Sequence, residues 1–336
     1  MVTSPQPQSN AAPTVLIVGQ SGRLTYEAVL FAASLRHAAP DFTGKLVVAE
    51  PEPGPLWPHG PRIADAGARA LLEHLGAEIR PFQSQHFGAA YPPGNKVEAL
   101  SVLDPDEGFI FFDTDTLITG PLDTLPLDLS RPSASMARQD TWPEPQLYGP
   151  GYTDIWRSLY DRFDVPFSPT LDTSQPDEHW ERYLYFNAGW FFYQGAHKFR
   201  DRMVDVMTSV RDDPPTELAS QKLFPWLDQI ALPVVISDFG GGRPGPELSG
   251  LDGNITWHWR ALPLLYARAT PAQMEMFDRI TAPNKVKKIL KNYEPFKRMI
   301  YQNRGDRVRA LFDQSKLPKR EQNIRARIKR ERLWMR

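Results

Sequence analysis

The 336-residue chain contains no cysteine. Disulfides, thiolate zinc sites and a cysteine nucleophile are therefore excluded, and the composition fits a reducing, cytoplasmic setting. No apolar run approaches the roughly 20 residues that a membrane-spanning helix needs. The opening stretch, MVTSPQPQSNAAPT, has neither the basic nor the long apolar region of a secretory signal, so none is expected. Residues 1–12 are polar and read as disordered. The loop GQSGRL at residues 19–24 lacks the Gly-Lys-Ser/Thr ending of a phosphate-binding P-loop. No internal repeat is visible. Proline, in contrast, is abundant at 33 residues, which predicts a loop-rich α/β protein rather than a helical bundle.

The net charge of −1 hides an asymmetry. Residues 285–336 hold 18 Lys/Arg against 5 Asp/Glu, while the rest of the chain holds 21 against 35. The split predicts an acidic body, residues 13–283, and a basic helical extension, residues 284–336. Such an extension either meets an anionic membrane or glycan surface peripherally or docks on its own acidic body. No nucleic-acid-binding motif accompanies the charge.

The body opens as strand, helix, strand, helix. The segments are 14–18, a helix with Tyr26, Val29, Leu30 and Ala33 on one face, 45–49, 64–75 and 79–82. That alternation predicts a parallel sheet. Asn95 is expected to cap a helix over 97–103, which places Lys96 near a helix N-terminus, where anions are favoured. The chain then reaches its most informative stretch, GFIFFDTDTLITGP at residues 108–121. Four apolar residues, Phe109 to Phe112, predict a strand buried on both faces. It ends abruptly at Asp113-Thr114-Asp115, where ligands of open α/β sheets bind. Two ionised carboxylates are costly to bury unless paired or bound to a metal, and together they can hold one hard divalent cation.

Between 133 and 181 the periodicity is lost. Trp142, Tyr148, Tyr152, Trp156, Tyr160 and Trp180 there predict either a platform for a sugar ring or a satellite core. A second apolar strand, YLYFNAGWFFYQ at 183–194, is expected to be interrupted at Asn187-Ala188-Gly189, where a bulge or a ligand comes close. A helix is predicted over 199–210. Asp228 and Gln229 fall at a helix start, residues 234–236 read as a strand, and residues 255–260 read as an edge strand carrying His258.

Four pieces thus stand in one order: FFDTD (111–115), FNAG (186–189), Asp228-Gln229 and a late His258. This resembles the nucleotide-sugar glycosyltransferases of the glycogenin and lipopolysaccharide galactosyltransferase type, glycosyltransferase family eight. The resemblance spans roughly residues 14–267. It implies a GT-A-like mixed sheet flanked by helices and a metal-dependent transfer of a sugar to a glycan, lipid-linked or other hydroxyl acceptor, with retention. It implies Mn²⁺ or Mg²⁺ held by Asp113, Asp115 and His258, and a nucleotide-sugar donor, a UDP-sugar in that family. Lys96, Thr114, Ala188 and Gly189 would contact the donor, while Asn187, Asp228 and Gln229 would hold its sugar. The family's lysine that grips the diphosphate is missing: Ala261 and Leu264 stand near its place, and Arg260 or the basic extension is the substitute. Two other readings remain at this point. One is an inert sugar-binding protein of the same fold. The other is a haloacid-dehalogenase-type phosphatase, which wants a threonine two places beyond the second aspartate, where this chain has Leu117.

Overall fold

A computed structural model describes residues 12–138 and 142–335. The expected disorder of the N-terminus falls, for residues 1–11, outside this range. The strands are β1 (Thr14–Val18), β2 (Leu46–Pro51), β3 (Ala77–Phe82), β4 (Phe109–Phe112), β5 (Thr116–Ile118), β6 (Ser133–Ser135), β7 (Asn187–Tyr193) and β8 (Thr256–His258). Six of them form a sheet in the order β3-β2-β1-β4-β7-β6, and β5 pairs with β8 beside it. β1, β2, β3 and β4 run parallel; β7 is antiparallel to both β4 and β6. This is the mixed α/β sheet that the GT-A resemblance implies. The chain leaves β1 on the β2 side and returns to it as β4. The crevice beyond the carboxyl ends of β1 and β4 is therefore the switch point of the sheet.

The helices are α1 (Arg23–Ala38), α2 (Ala66–His74), α3 (Asn95–Glu98), α4 (Tyr152–Arg162), α5 (Ala196–Asp212) and α6 (Leu227–Asp238), followed by α7 (Leu262–Arg268) and α8 (Pro271–Thr281). The C-terminal region adds α9 (Asn284–Leu290), α10 (Glu294–Tyr301), α11 (Arg304–Arg309) and α12 (Glu321–Arg330). Side chains alternate across a strand, so each strand feeds two cores. Val15, Ile17, Ile110 and Phe112 point to a layer with α1 and α2. Leu16, Val18, Phe109 and Phe111 point to a layer with α5 and α6. Each fully buried phenylalanine contributes about 1.5–3 kcal/mol of apolar burial, so the FIFF run anchors β4 from both sides.

Val286, Leu290, Phe296, Met299, Val308, Ile324, Ile328 and Leu333 are all buried in the α1 layer. The apolar residues of the basic extension are thus spent on docking, and its Lys and Arg side chains are what it shows to solvent. Packing is tight enough that a Cβ on Gly305 would meet the Tyr266 ring at 2.2 Å. Among the described residues no helix is long and apolar enough to cross a membrane.

Four local expectations are corrected. Residues 234–236 form no strand; they lie in α6, whose middle, residues 230–236, is apolar and buried on every side. A helix enclosed all round has no polar face to reveal its period, and a β-branched run then mimics a strand. Asn95 does not cap α3: Gly94 occupies that position, and the Asn95 amide bridges the Ser84 hydroxyl and Gln20. The second apolar strand is shorter than expected, with Asn187 opening β7, but the expected bulge is there: the pairing with β6 steps from Ala134–Phe191 to Ser135–Asn187, which leaves residues 188–190 as the extra residues on the β7 side. The aperiodic 133–181 stretch contains α4. There Trp142, Trp156 and Tyr160 are core residues, whereas Tyr148 is fully exposed.

Candidate active site

Asp113 follows β4 at the switch point, and its backbone N–H donates to the Gly189 carbonyl at 2.8 Å. Three residues on, the chain enters β5, where Thr116 pairs with His258 of β8. The Asp115 carbonyl accepts from the Trp259 N–H at 2.9 Å. This register carries a side chain 143 residues away in sequence to the acidic turn: His258 Nε2 lies 3.0 Å from Asp115 Oδ1 and 3.8 Å from Asp113 Oδ2. One ligand atom from each of Asp113, Asp115 and His258 can be chosen so that all lie within 4.8 Å of one another. Room for the imidazole comes from Gly189, where an added Cβ would stand 2.5 Å from His258 Nδ1.

Lys96, from the first turn of α3, enters from the other side. Its Nζ lies 3.0 Å from Asp113 Oδ1, 3.1 Å from the Ala188 carbonyl and 3.4 Å from Asp228 Oδ2. Asp228, in the first turn of α6, is buried, and its other oxygen accepts from the Tyr91 hydroxyl at 2.7 Å. Burial alone would discharge Lys96, but Asp113 and Asp228 outweigh it and hold the ammonium above its ordinary pKa. Burial raises the Asp113 carboxyl, with Lys96 opposing and the Asp115 charge adding. Burial also opposes ionisation of Asp115, yet His258 and then Arg23 outweigh it, and this carboxyl lies well below the usual range. The two aspartates therefore differ: Asp115 is the firmer anion.

Beneath the acidic turn lies Glu27 of α1. It is almost wholly buried, accepts from Thr114 Oγ1 at 3.2 Å, and pairs with Arg23 at 2.6 Å. Burial, aided by the Asp115 charge, pushes it up to about 8 against Arg23 and Thr114. Arg23 also lies 3.7 Å from Asp115 Oδ2.

The remaining expected residues flank this centre. Asn187 Nδ2 donates to the Ala137 carbonyl at 3.0 Å, which also accepts from Arg260 at 2.8 Å. Gln229 Oε1 accepts from the Tyr185 hydroxyl at 2.6 Å. Sequence reasoning missed Tyr91, Arg23, Glu27 and Tyr185. Arg23 lies within the GQSGRL loop and Tyr91 shortly before Asn95 and Lys96, but nothing in their spacing indicates contact with the aspartates.

Residues 15–240, about two thirds of the chain, match a glycosyltransferase domain. The molecule is therefore a glycosyltransferase. It belongs to the Rhodobacterales glycosyltransferase domain family, and the phosphatase alternative is set aside. Among solved structures, the galactosyltransferase LgtC with donor and acceptor sugar analogues has 16% identity, covers 82% of this chain and 99% of its own, and gives a TM-score of 0.49. The glycosyltransferase GlyE of Streptococcus pneumoniae TIGR4 has 11% identity, with coverage of 84% and 65% and a TM-score of 0.43. The bifunctional glycosyltransferase WbbM has 17% identity, coverage of 84% and 46%, and a TM-score of 0.37. No curated protein matches the chain.

Proposed function

We propose that the chain transfers a sugar from a nucleotide-diphosphate donor to a hydroxyl acceptor, in a metal-dependent reaction that retains the anomeric configuration. The observation that carries this reading is the convergence of Asp113, Asp115 and His258 on one small volume at the switch point of a glycosyltransferase sheet. Two carboxylates and one imidazole suit Mn²⁺ better than Mg²⁺, which prefers oxygen ligands throughout. When bound, such an ion supplies Lewis-acid neutralisation of the leaving diphosphate.

The side chains themselves have separate tasks in this scheme. Asp113 and Asp115 present anionic oxygens at a spacing fixed by one turn. Lys96 offers a cation to the donor and prevents mutual repulsion of Asp113 and Asp228. Thr114, Ala188 and Gly189 form the backbone floor under the donor. Asn187, Asp228 and Gln229 face its sugar, and Arg260 supplies positive charge at the rim. The donor proposed is a UDP-sugar and the acceptor a glycan or lipid-linked glycan. The exposed Lys and Arg of the extension are proposed to meet an anionic membrane surface from the cytoplasmic side, each worth about 1 kcal/mol near such a surface.

The test of this function is release of free nucleotide from nucleotide-sugars in the presence of Mn²⁺, together with anomeric analysis of the product. Absence of turnover with every common donor and acceptor class would leave an inert sugar-binding protein. Asp228→Asn is expected to lower transfer by about 10²-fold or more, the scale of losing a group that acts on developing charge. Nucleoside diphosphate affinity should stay near that of the parent, and parallel turnover and calorimetry separate the two. Unchanged turnover would remove Asp228 from the site. Gly189→Ala should push the imidazole off its position and weaken Mn²⁺-dependent nucleotide binding about 10–100-fold, as losses of ligand orientation do. Equal affinity in titration calorimetry would show that His258 is not a ligand.

A further inference from the structure

We propose that Glu321, the first residue of α12, is a positioning residue for the donor site, which makes the C-terminal helix a functional wall of that site. The inference rests on the donor reading above and adds a residue that lies well outside the matched domain.

Three guanidinium groups meet on this one carboxylate. Glu321 Oε2 lies 2.8 Å from Arg268 NH1 and 3.3 Å from Arg260 NH1, and Oε1 lies 2.6 Å from Arg325 NH2. The Glu321 side chain is only 7% exposed and that of Arg260 13%, whereas Arg268 is at 36%. One negative charge shared among three positive ones leaves a local excess of cation at the site's edge, suited to a diphosphate.

Arg260 is the member of this group that reaches the site. It directly follows Trp259, whose N–H bonds Asp115, and its other terminal nitrogen donates to the Ala137 carbonyl shared with Asn187. Its backbone has φ of +63°, in the left-handed region. A long side chain keeps that conformation only where its surroundings over-determine it, and such positions cluster at ligand clamps. Glu321 on one end and the Ala137 carbonyl on the other are what fix it here. Ile324 and Ile328 seat α12 in the core and set where Glu321 stands.

The experiment measures calorimetric affinity, with Mn²⁺ present, for UDP, GDP, ADP and inorganic pyrophosphate, and donor KM and kcat for the best nucleotide-sugar. Glu321→Gln is expected to weaken diphosphate affinity and raise donor KM about tenfold, the worth of one charge-assisted contact, with kcat changed less. Arg279→Gln, which breaks an exposed pair with Glu275 on α8 outside this cluster, should leave both within about twofold. The double variant Glu321→Gln/Arg260→Gln should bind no more weakly than Arg260→Gln alone, because Glu321 acts through Arg260. If Glu321→Gln does not fold, Glu321→Asp, which retains the charge and draws it back from Arg260, gives the same comparison. Unchanged KM and affinity in a folded Glu321 variant, or additive losses in the double variant, would overturn the proposal. If the parent protein binds none of the four probes, the donor reading itself fails, and Glu321 loses this role with it.

Discussion

Asp115→Ala is expected to abolish metal-dependent nucleotide binding while leaving the fold in place. The side chain and the backbone of this residue have different duties. The carbonyl accepts from Trp259 and secures the pairing of β5 with β8, and alanine retains it. The carboxylate is the firmer anion of the pair and faces both His258 and Arg23. After its removal Arg23 still pairs with Glu27, and His258 still has Asp113 within 3.8 Å. Stability should therefore change little. Ion coordination at a leaving diphosphate accounts for several kcal/mol of transition-state stabilisation, so transfer should fall by about 10²-fold or more. His258→Ala should cost less, because both carboxylates remain. Titration calorimetry with and without Mn²⁺ is the measurement. An unchanged affinity for Asp115→Ala would reduce the Asp-Thr-Asp stretch to a strand-end turn.

The second large effect is expected from Lys96→Met, and it should appear in stability as well as in activity. Lys96 is the cation between Asp113 and Asp228. Methionine fills much of its volume but leaves two carboxylates facing each other, one of them almost sealed from water. Removing one partner of a buried ion pair costs about 3–5 kcal/mol, a fall in Tm on the order of 5–10 °C. The sign of the pH dependence follows from the charges. In the parent, the folded-state pKa of Lys96 is raised. Its contribution is complete at every pH below the ordinary lysine value of about 10.4, and is lost only as pH rises through the folded value. In the variant Asp113, whose folded-state pKa is already raised by burial, loses the cation that opposes the rise. The resulting penalty is full above that raised value and disappears as pH falls to the ordinary aspartate value of about 3.9. The gap in Tm between parent and variant should thus narrow between pH 7 and pH 4. A constant gap, or none, would mean that Lys96 is a solvated side chain and not the centre of the site.

Much of this site could be read in the sequence because its chemistry interrupts apolar strands. Asp113 and Asp115 are visible where FIFF stops, and Asn187 and Gly189 where FNAG breaks an aromatic run. The order of these pieces was enough to bring in His258. Other parts were hidden for physical reasons. The three-cation cluster on Glu321 is a contact across 61 residues between β8's exit and α12, and nothing in either segment marks a partner. Tyr91 reaches Asp228 across 137 residues, from a short turn without periodicity. Residues 234–236 misled because enclosure on all sides erases the helical pattern, and α4 was missed because its aromatics lie among Pro, Gly and Asp. In each case tertiary burial, not local propensity, decided the outcome.

The division of the core between two faces of the sheet has a consequence for biosynthesis. The layer holding α5 and α6 is complete once Phe239 has been made, whereas the layer holding α1 and α2 also draws on Ile324, Ile328 and Leu333. Chains emerge from the N-terminus at about 5–20 residues per second. On the ribosome, one side of the sheet can therefore close several seconds before the other, and the part of the second layer around α7 waits for α12. Premature termination after the final β8 residue would release a product with a finished half and an open one, suited to capture by a holdase and to disposal. The segment that completes the core, α12, also carries Glu321. A nascent chain therefore gains its last site residue at the same moment as its last core residues, so incomplete products have neither the full site nor the sealed interior.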